Sequence, residues 1–458
     1  MTKPGDQLPL LRTPIPGPKS RALARQLRRY ESRNITYIVH NWPIFWQRAS
    51  GANVWDVDGN RYIDLTAGFG VASVGHTNPR VAAAIQAQAK QLTHAMGDVH
   101  PNELKVRLAR ELVELTFGRW SKSAGRVIFA NSGAEAVEAA LKTAAIHTKR
   151  PGVVAFEGAY HGLTYGALDA TWRADFRAPF KKQLGGFTTH VSFGRVPTAG
   201  TDRRAVRDPH GEPGDRALPR PISHYGAVIV EPIQGRGGII VPPDNFLGEL
   251  RKFCDHHGLL LIFDEIYTGF CRTGRWFACE HWGVVPDLIC VGKGMTGGFP
   301  MSACIGRAKV MDSWPESKGE AIHTSTFLGN PLGCAAALAA IAEMKRLKLN
   351  GRAESLGSYL ALVLGGPRSV VATGGKRTRY FATQHRLRAS LPLRGKGLML
   401  GLEVNSASCL CEQLLQRGIL ALPEGSNSEV LGITPPLVIT RRQLDHCVSM
   451  LSDLLSTR

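Results

Sequence analysis

Short apolar runs separated by longer stretches of helical periodicity dominate the middle of the chain: RVIFA at 126–130, VVAF at 153–156, AVIVEP at 227–232, LLLIFDE at 259–265 and LICVG at 288–292. Runs of this length, rich in Val, Ile and Phe, read as strands, and the segments between them read as helices, near 80–91, over 102–115 and from Ala134 onward. That alternation predicts an α/β fold with a mostly parallel sheet covered by helices on both faces. Upstream, 51–65 reads as a hairpin turning at Asp58-Gly59, preceded by a Pro-rich arm over about 1–20 and a short basic helix at 21–31. A glycine-rich loop, TAGFGVASVGHTNP, follows the hairpin. From Pro331 an Ala-rich helix begins a tail that ends in the helix-like RRQLDHCVSMLSDLL. The expected division is 1–78 as arm and part of a small domain, 79–335 as the large domain, and 336–458 as a smaller α+β domain. No internal repeat is visible.

Composition narrows the class without deciding it. The 458 residues, 43% hydrophobic and 20% charged, suffice for a large core. No window has the roughly 18 continuous apolar residues of a spanning helix, and MTKPGDQLPLLRTPIPGPKS lacks the plan of a secretory signal, so a soluble cytoplasmic location is expected. The nine cysteines show no C-x-x-C or zinc spacing, which favours thiols in a reducing compartment and no metal. The formal charge of +19 raises a nucleic-acid partner. The basic excess lies in 21–30, 201–221 and 375–394 without interleaved aromatics, so neither nucleic acid nor membrane is the expected partner. Such a field still attracts anionic substrates. The polar stretch 198–221 reads as an excursion from the sheet, and 365–391 as a long basic connection.

Candidate chemistry sits at two strand ends. LLLIFDEIYTG delivers Asp264, and LICVGKGMTGG, further on, delivers Lys293 among glycines. Alone, an Asp-Glu pair closing a strand also suits a metal or nucleotide site, and a lone lysine is more often a snorkelling surface residue. Together they suit pyridoxal phosphate: a lysine for a Schiff base, and a carboxylate that keeps the pyridine nitrogen protonated. FANSGAEAVEAALK adds a strand feeding a helix start, where Ser132 and Gly133 either merely cap the helix or open it to a phosphate. VVAFEGAYHG then places Tyr160 and His161 after a strand, where an aromatic ring can stack on a flat ligand.

In this order the motifs resemble those of class III aminotransferases, the ornithine, 4-aminobutyrate and ω-amino-acid group of fold-type I pyridoxal phosphate enzymes, over nearly the whole chain from about Arg21 to Ser456. The resemblance implies that Gly133 and Ala134, with Ser132, hold the phosphate and that Tyr160 lies on the ring with His161 beside it. It places Glu231 under the phenolic side, Asp264 at the pyridine nitrogen, Ile266 on the opposite ring face and Lys293 as the catalytic lysine. It also implies that Thr326, in HTSTFLGNPLG, reaches the phosphate of a neighbouring subunit, making a homodimer with shared sites. The implied reaction is ping-pong transfer of an amino group from an amino acid, ω-amino acid or diamine to a 2-oxo acid or aldehyde. Racemisation, decarboxylation or elimination on the same scaffold is the alternative, and a non-catalytic basic homologue is disfavoured by the intact Lys293, Asp264, Gly133 and Thr326.

Three positions depart from that pattern. Many family members carry an acid after Pro-Ile-Gln-Gly and an arginine two residues before the Thr/Ala-Pro-Pro, a switchable pair for an α-carboxylate. Here those positions are Arg236 and Gly432. Arg236 is the candidate to bind the substrate carboxylate instead, with a structural or solvated role the competing reading. Tyr267 stands where many relatives have a glutamine near the phenolic oxygen, and its hydroxyl is the candidate replacement. Arg394, in the RGKG turn, reads as structural.

Overall fold

The computed structural model describes residues 5–39, 42–198, 218–365, the backbone of 370–371, and 391–456. Most of the polar excursion at 198–221 and of the basic tract at 365–391 lies outside the described residues.

The five predicted strands assemble with two others, Ser302–Arg307 and Thr188–Val191, into one seven-stranded sheet in the order Gly125–Ala130, Ser302–Arg307, Leu288–Val291, Leu260–Asp264, Tyr225–Val230, Gly152–Phe156, Thr188–Val191. Only Ser302–Arg307 runs against the others, pairing antiparallel with both neighbours, while the remaining pairs are parallel. Every residue of Tyr225–Val230, Leu260–Asp264 and Leu288–Val291 is buried, as a parallel sheet covered on both sides requires. The two-residue period of the strand sorts their side chains between two cores. Val228, Val230, Leu261 and Phe263 pack with Phe246, Leu250 and Cys254 of the helix Phe246–His257. Ala227, Ile229, Leu260 and Ile262 pack with Ala136, Val137 and Ala140 of the helix Gly133–Thr148. Each fully buried Leu, Ile or Phe contributes roughly 1.5–3 kcal/mol, so the central strands are fixed in place before any ligand is considered.

The helices at Pro79–Ala89 and Glu103–Val113 follow the expected positions, capped by Asn78 and Asn102. The hairpin Asn53–Asp56/Arg61–Asp64 also forms, and its second strand pairs in parallel with Ile419–Leu420. The beginning and end of the chain thus share a small sheet. A five-stranded sheet, Val370–Val371, Leu393–Lys396, Met399–Glu403, Val430–Ile433 and Leu422–Glu424 in spatial order, completes the C-terminal part. Arg394 lies in it, donating to the Gly238 carbonyl at 2.8 Å, in keeping with a structural role.

Candidate active site

All strands that carry candidate residues point the same way, so their carboxyl ends meet at one edge of the sheet, where ligands gather in open α/β folds. Asp264 closes its strand, and Glu231 directly follows Val230. Lys293 lies two residues past Val291 and Ser132 two past Ala130, while Tyr160 and His161 follow the strand Gly152–Phe156. Residues scattered over the sequence are thereby brought to one place by sheet order alone.

Asp264 is buried and already oriented. Its Oδ1 accepts from the Ile266 amide at 3.1 Å, a local turn of the kind aspartate favours, and its Oδ2 lies 2.8 Å from Nδ1 of buried His161. His161 Nε2 has no hydrogen-bond partner among the described residues. Glu265, its neighbour, does something different. It turns into the interior and accepts from the Ala278 and Cys279 amides and the Thr268 hydroxyl. Asp264 and Glu265 are therefore not a metal-binding pair: one faces the site and the other holds a turn.

Lys293 enters the site from a strained backbone, with φ at 39°, a region costly for a residue with a Cβ. Its Nζ lies 3.9 Å from the centre of the Tyr267 ring. Burial lowers its proton affinity below the ordinary lysine value, opposed by the negative charges of Asp264, Glu424 and Glu231. Tyr267 presents its ring, not its hydroxyl, to the lysine. The hydroxyl bonds Thr434 Oγ1 at 3.1 Å, and the ring is received by two glycines: a Cβ at Gly70 or Gly235 would lie 2.6 or 2.4 Å from ring carbons. Glu231 accepts from the Tyr160 amide at 3.0 Å and the Gly235 amide at 2.9 Å, and burial pushes its carboxyl up to about 7.

The helix beginning at Gly133 is capped by the Ser132 hydroxyl, which accepts from the Glu135 amide. Capping and anion binding coexist here, because the first-turn amides of Gly133 and Ala134 need no partner inside the helix. Two contacts press the surroundings onto this turn. A Cβ at Gly133 would meet Ile266 Cδ1 at 2.9 Å, and one at Gly162, whose φ is 128°, would meet Ala134 Cβ at 2.6 Å. The Tyr160-His161-Gly162 segment thus packs directly on the helix start. Half-buried Tyr160 stands edge-on to Phe176, ring centres 5.8 Å apart.

Arg236 is partly exposed. Its Nε lies 3.8 Å from Oε2 of Glu424, a residue not singled out from the sequence. Glu424 is 4% exposed, and burial pushes its carboxyl up to about 7 despite Arg236 and Lys293 nearby. Gly432 makes room for it, since a Cβ there would sit 3.1 Å from Glu424 Cγ. Nothing in ALPEGSNSEV marks Glu424 as more than a turn residue; it comes beside Arg236 where the Gly425 amide donates to the Arg236 carbonyl at 3.1 Å. Thr326 is exposed, in a segment where Ser325 Oγ accepts from Asn131 Nδ2 at 3.2 Å.

These groups suit pyridoxal phosphate: an amine of lowered proton affinity, an oriented carboxylate facing a ring nitrogen's requirements, a helix start for a dianion, and a carboxyl near neutrality. The chain is also similar to known proteins of that chemistry. It is 38% identical over 415 residues to the acetylornithine aminotransferase of Methanopyrus kandleri, covering 90% of this chain and 95% of that protein. Against the putrescine aminotransferase of Pectobacterium atrosepticum the identity is 39%, over 89% of this chain and 81% of the relative. The ornithine aminotransferase of Toxoplasma gondii, whose structure reveals partial occupancy of pyridoxal phosphate at its active site, superposes with a TM-score of 0.74 at 31% identity, over 94% of this chain and 93% of that one. Residues 36–370 match the family model described as aminotransferase class-III. The sheet edge and the sequence agree, and the chain belongs to the class III aminotransferases, pyridoxal phosphate-dependent enzymes that transfer amino groups from amino acid, ω-amino acid or diamine donors.

Proposed function

We propose that this aminotransferase moves an amino group from an ω-amino acid or diamine to a 2-oxo acid, with Lys293 as the catalytic base and Asp264 holding the pyridine nitrogen. The observation that carries the reading is Lys293 itself, buried to a lowered proton affinity just past the strand that pairs with the Asp264 strand. When bound, pyridoxal phosphate supplies an electrophilic carbon and an electron-accepting ring. Nζ of Lys293 would take the proton from the donor carbon that bears nitrogen, and Asp264, held by His161, would keep a positive charge on the ring nitrogen. Ser132, Gly133 and Ala134 would hold its phosphate, Tyr160 and Ile266 would enclose its ring, and Glu231 would stand beside its phenolic oxygen. Tyr267 positions Lys293 with its ring. Arg236 takes the carboxylate of the oxo acid, and Thr326 completes the phosphate site of a second copy in a homodimer. The eight buried cysteine thiols support a reducing, cytoplasmic setting, and the pairing of Arg61–Asp64 with Ile419–Leu420 supports a small domain built from both ends of the chain, divided from the large one at about 78 and 335.

The test is an absorbance scan of the purified holoenzyme as ornithine, 4-aminobutyrate, β-alanine, putrescine, alanine and glutamate are added singly. Bleaching of the visible cofactor band by an ω-amine or diamine supports the reading. Bleaching by α-amino acids alone overturns its choice of donor.

A further inference from the structure

Arg272 is wholly buried, and among the described residues its guanidinium is held by neutral oxygens alone. Nη1 donates to the Leu398 and Pro435 carbonyls at 3.1 and 2.5 Å, and Nη2 donates to the Ser73 hydroxyl at 3.4 Å. Asp64, whose charge reaches it, is itself bonded by Thr66 and His76. Burial pulls the proton affinity of Arg272 down to about 10, which leaves it a cation at neutral pH. A buried cation without a carboxylate is costly, and an apolar side chain fills such a space without that cost. The reason for a charged fork here lies in what its donors hold.

The three acceptors come from three distant segments, and each adjoins a wall of the Tyr267 ring. Ser73 belongs to the glycine-rich loop; its Oγ donates on to the Gly70 carbonyl at 3.3 Å, and Gly70 is the glycine that receives the ring. Pro435 follows Thr434, whose Oγ1 meets the Tyr267 hydroxyl. Leu398 precedes Met399, which with Ile233 and Ile239 forms the apolar cluster that Tyr267 packs against. The Leu398 amide also donates back to the Arg272 carbonyl at 3.0 Å, so this contact is reciprocal. A fourth contact reaches the lysine directly: a Cβ at Gly294 would lie 2.6 Å from Ser73 Oγ, so the residue after Lys293 rests on Ser73.

We propose that Arg272 is a positioning residue for Lys293: its fork pins the glycine-rich loop, the Leu398-Met399 turn and the Thr434-Pro435 segment around Tyr267, and so fixes the ring face on which Nζ rests. This rests on the reading of Tyr267 as the support of Lys293. Lysine is no substitute, because an ammonium on a flexible stem lacks the planar set of donors that reaches all three segments at once. Arg352 offers the contrast. It clamps the Leu437, Val438 and Ile439 carbonyls, none of which adjoins a wall of the Tyr267 ring. A misplaced base costs rate more than affinity. The ring face also favours a cation over the free amine, so a displaced ring lowers the proton affinity of Lys293. Asp264, Glu424, Glu231 and Arg236 are the charges that act on Nζ, and a lysine at 272 alters none of them.

The experiment compares R272K with R352K and wild type by two readouts. Amine transfer by the holoenzyme gives kcat and KM separately, and acetylation of Lys293 by acetic anhydride in the cofactor-free chain, followed by mass spectrometry across pH, gives the midpoint of its titration. R272K should lower kcat at least about tenfold with KM within about threefold, and should lower the labelling midpoint by about half a pH unit. R352K should lose thermal stability and move neither readout. S73A, which removes one acceptor and leaves the fork, should move both in the same direction by less, and it decides the question if R272K does not fold. Wild-type kcat and midpoint in R272K, or in S73A where R272K does not fold, overturn the proposal, as do equal changes in R352K. Y267L should lower both readouts by itself, and R272K added to it should lower them no further. If Y267L alone behaves as wild type, the reading of Tyr267 fails instead, and the two failures are told apart.

Discussion

At the residue scale, the chemistry depends on protons held where water would not leave them. On the proposed reading, Lys293→Ala removes the base and the covalent anchor together. The expected result is a folded protein whose visible cofactor band is lost and whose transamination falls by at least about a thousandfold, checked by absorbance and single-turnover kinetics. Glu231 gives a prediction about stability. Its carboxyl is raised by burial from about 4.5 to about 7, so between those values the folded chain holds a proton that the unfolded chain has released. Its contribution is thus most favourable below 4.5, declines by roughly 3 kcal/mol as pH rises to 7, and is level above. Denaturant unfolding of E231Q and wild type between pH 4.5 and 8 should show the two stability curves converging toward the acid end and separating toward neutral pH. Parallel curves would contradict the assignment. Asp264 and Lys293 were legible in the sequence because strand ends and glycines announce them. Glu424 was not, because its contact with Arg236 comes from a turn 188 residues earlier in the chain, which no local pattern names.

At the scale of elements, the long buried strands and capped helices read correctly because both the apolar period and the capping residues pointed one way. Two strands of the large sheet were missed for identifiable reasons. Thr188–Val191 is a short edge strand of TTHV, buried only at Val191, and Ser302–Arg307 dilutes its apolar residues with Ser, Ala and Gly. The strand Trp46–Ser50 is largely exposed and carries no apolar run. The glycine-rich loop was recognised as a loop, but its reason lies in Tyr267. Gly70, with φ at 80°, lets that ring lie against the backbone. Gly70→Ala should cost roughly 2–4 kcal/mol, combining backbone strain and overpacking. In a double-mutant cycle with Tyr267→Ala, part of that loss should disappear, and strict additivity would show that the ring is not the obstacle.

For the whole molecule, exposed apolar side chains concentrate near Thr326: Ile322 is 68% exposed, Phe327 56%, and Met96 and Val99, in the loop that Thr324 meets through Asp98, 52% and 62%. Isolated exposed leucines are ordinary, but a gathering of this kind fits a surface that another copy covers. Sedimentation should give a dimer. Thr326→Ala should leave the dimer intact and weaken cofactor retention about ten- to a hundredfold, the range for one hydrogen bond to a charged group, measured by equilibrium dialysis. Loss of the dimer without loss of the cofactor would place Thr326 at the interface alone.

Gly432 and Glu424 also constrain how this enzyme can change. A Cβ at 432 would sit 3.1 Å from Glu424 Cγ, so a side chain installed at Gly432 requires Glu424 to shift, while shortening Glu424 first leaves Arg236 without its neighbour. Neither single step is neutral, so positions 236, 424 and 432 should covary as a set across relatives. Directed evolution of substrate scope is then expected to reach further in libraries that vary the three positions together than in libraries that vary one at a time.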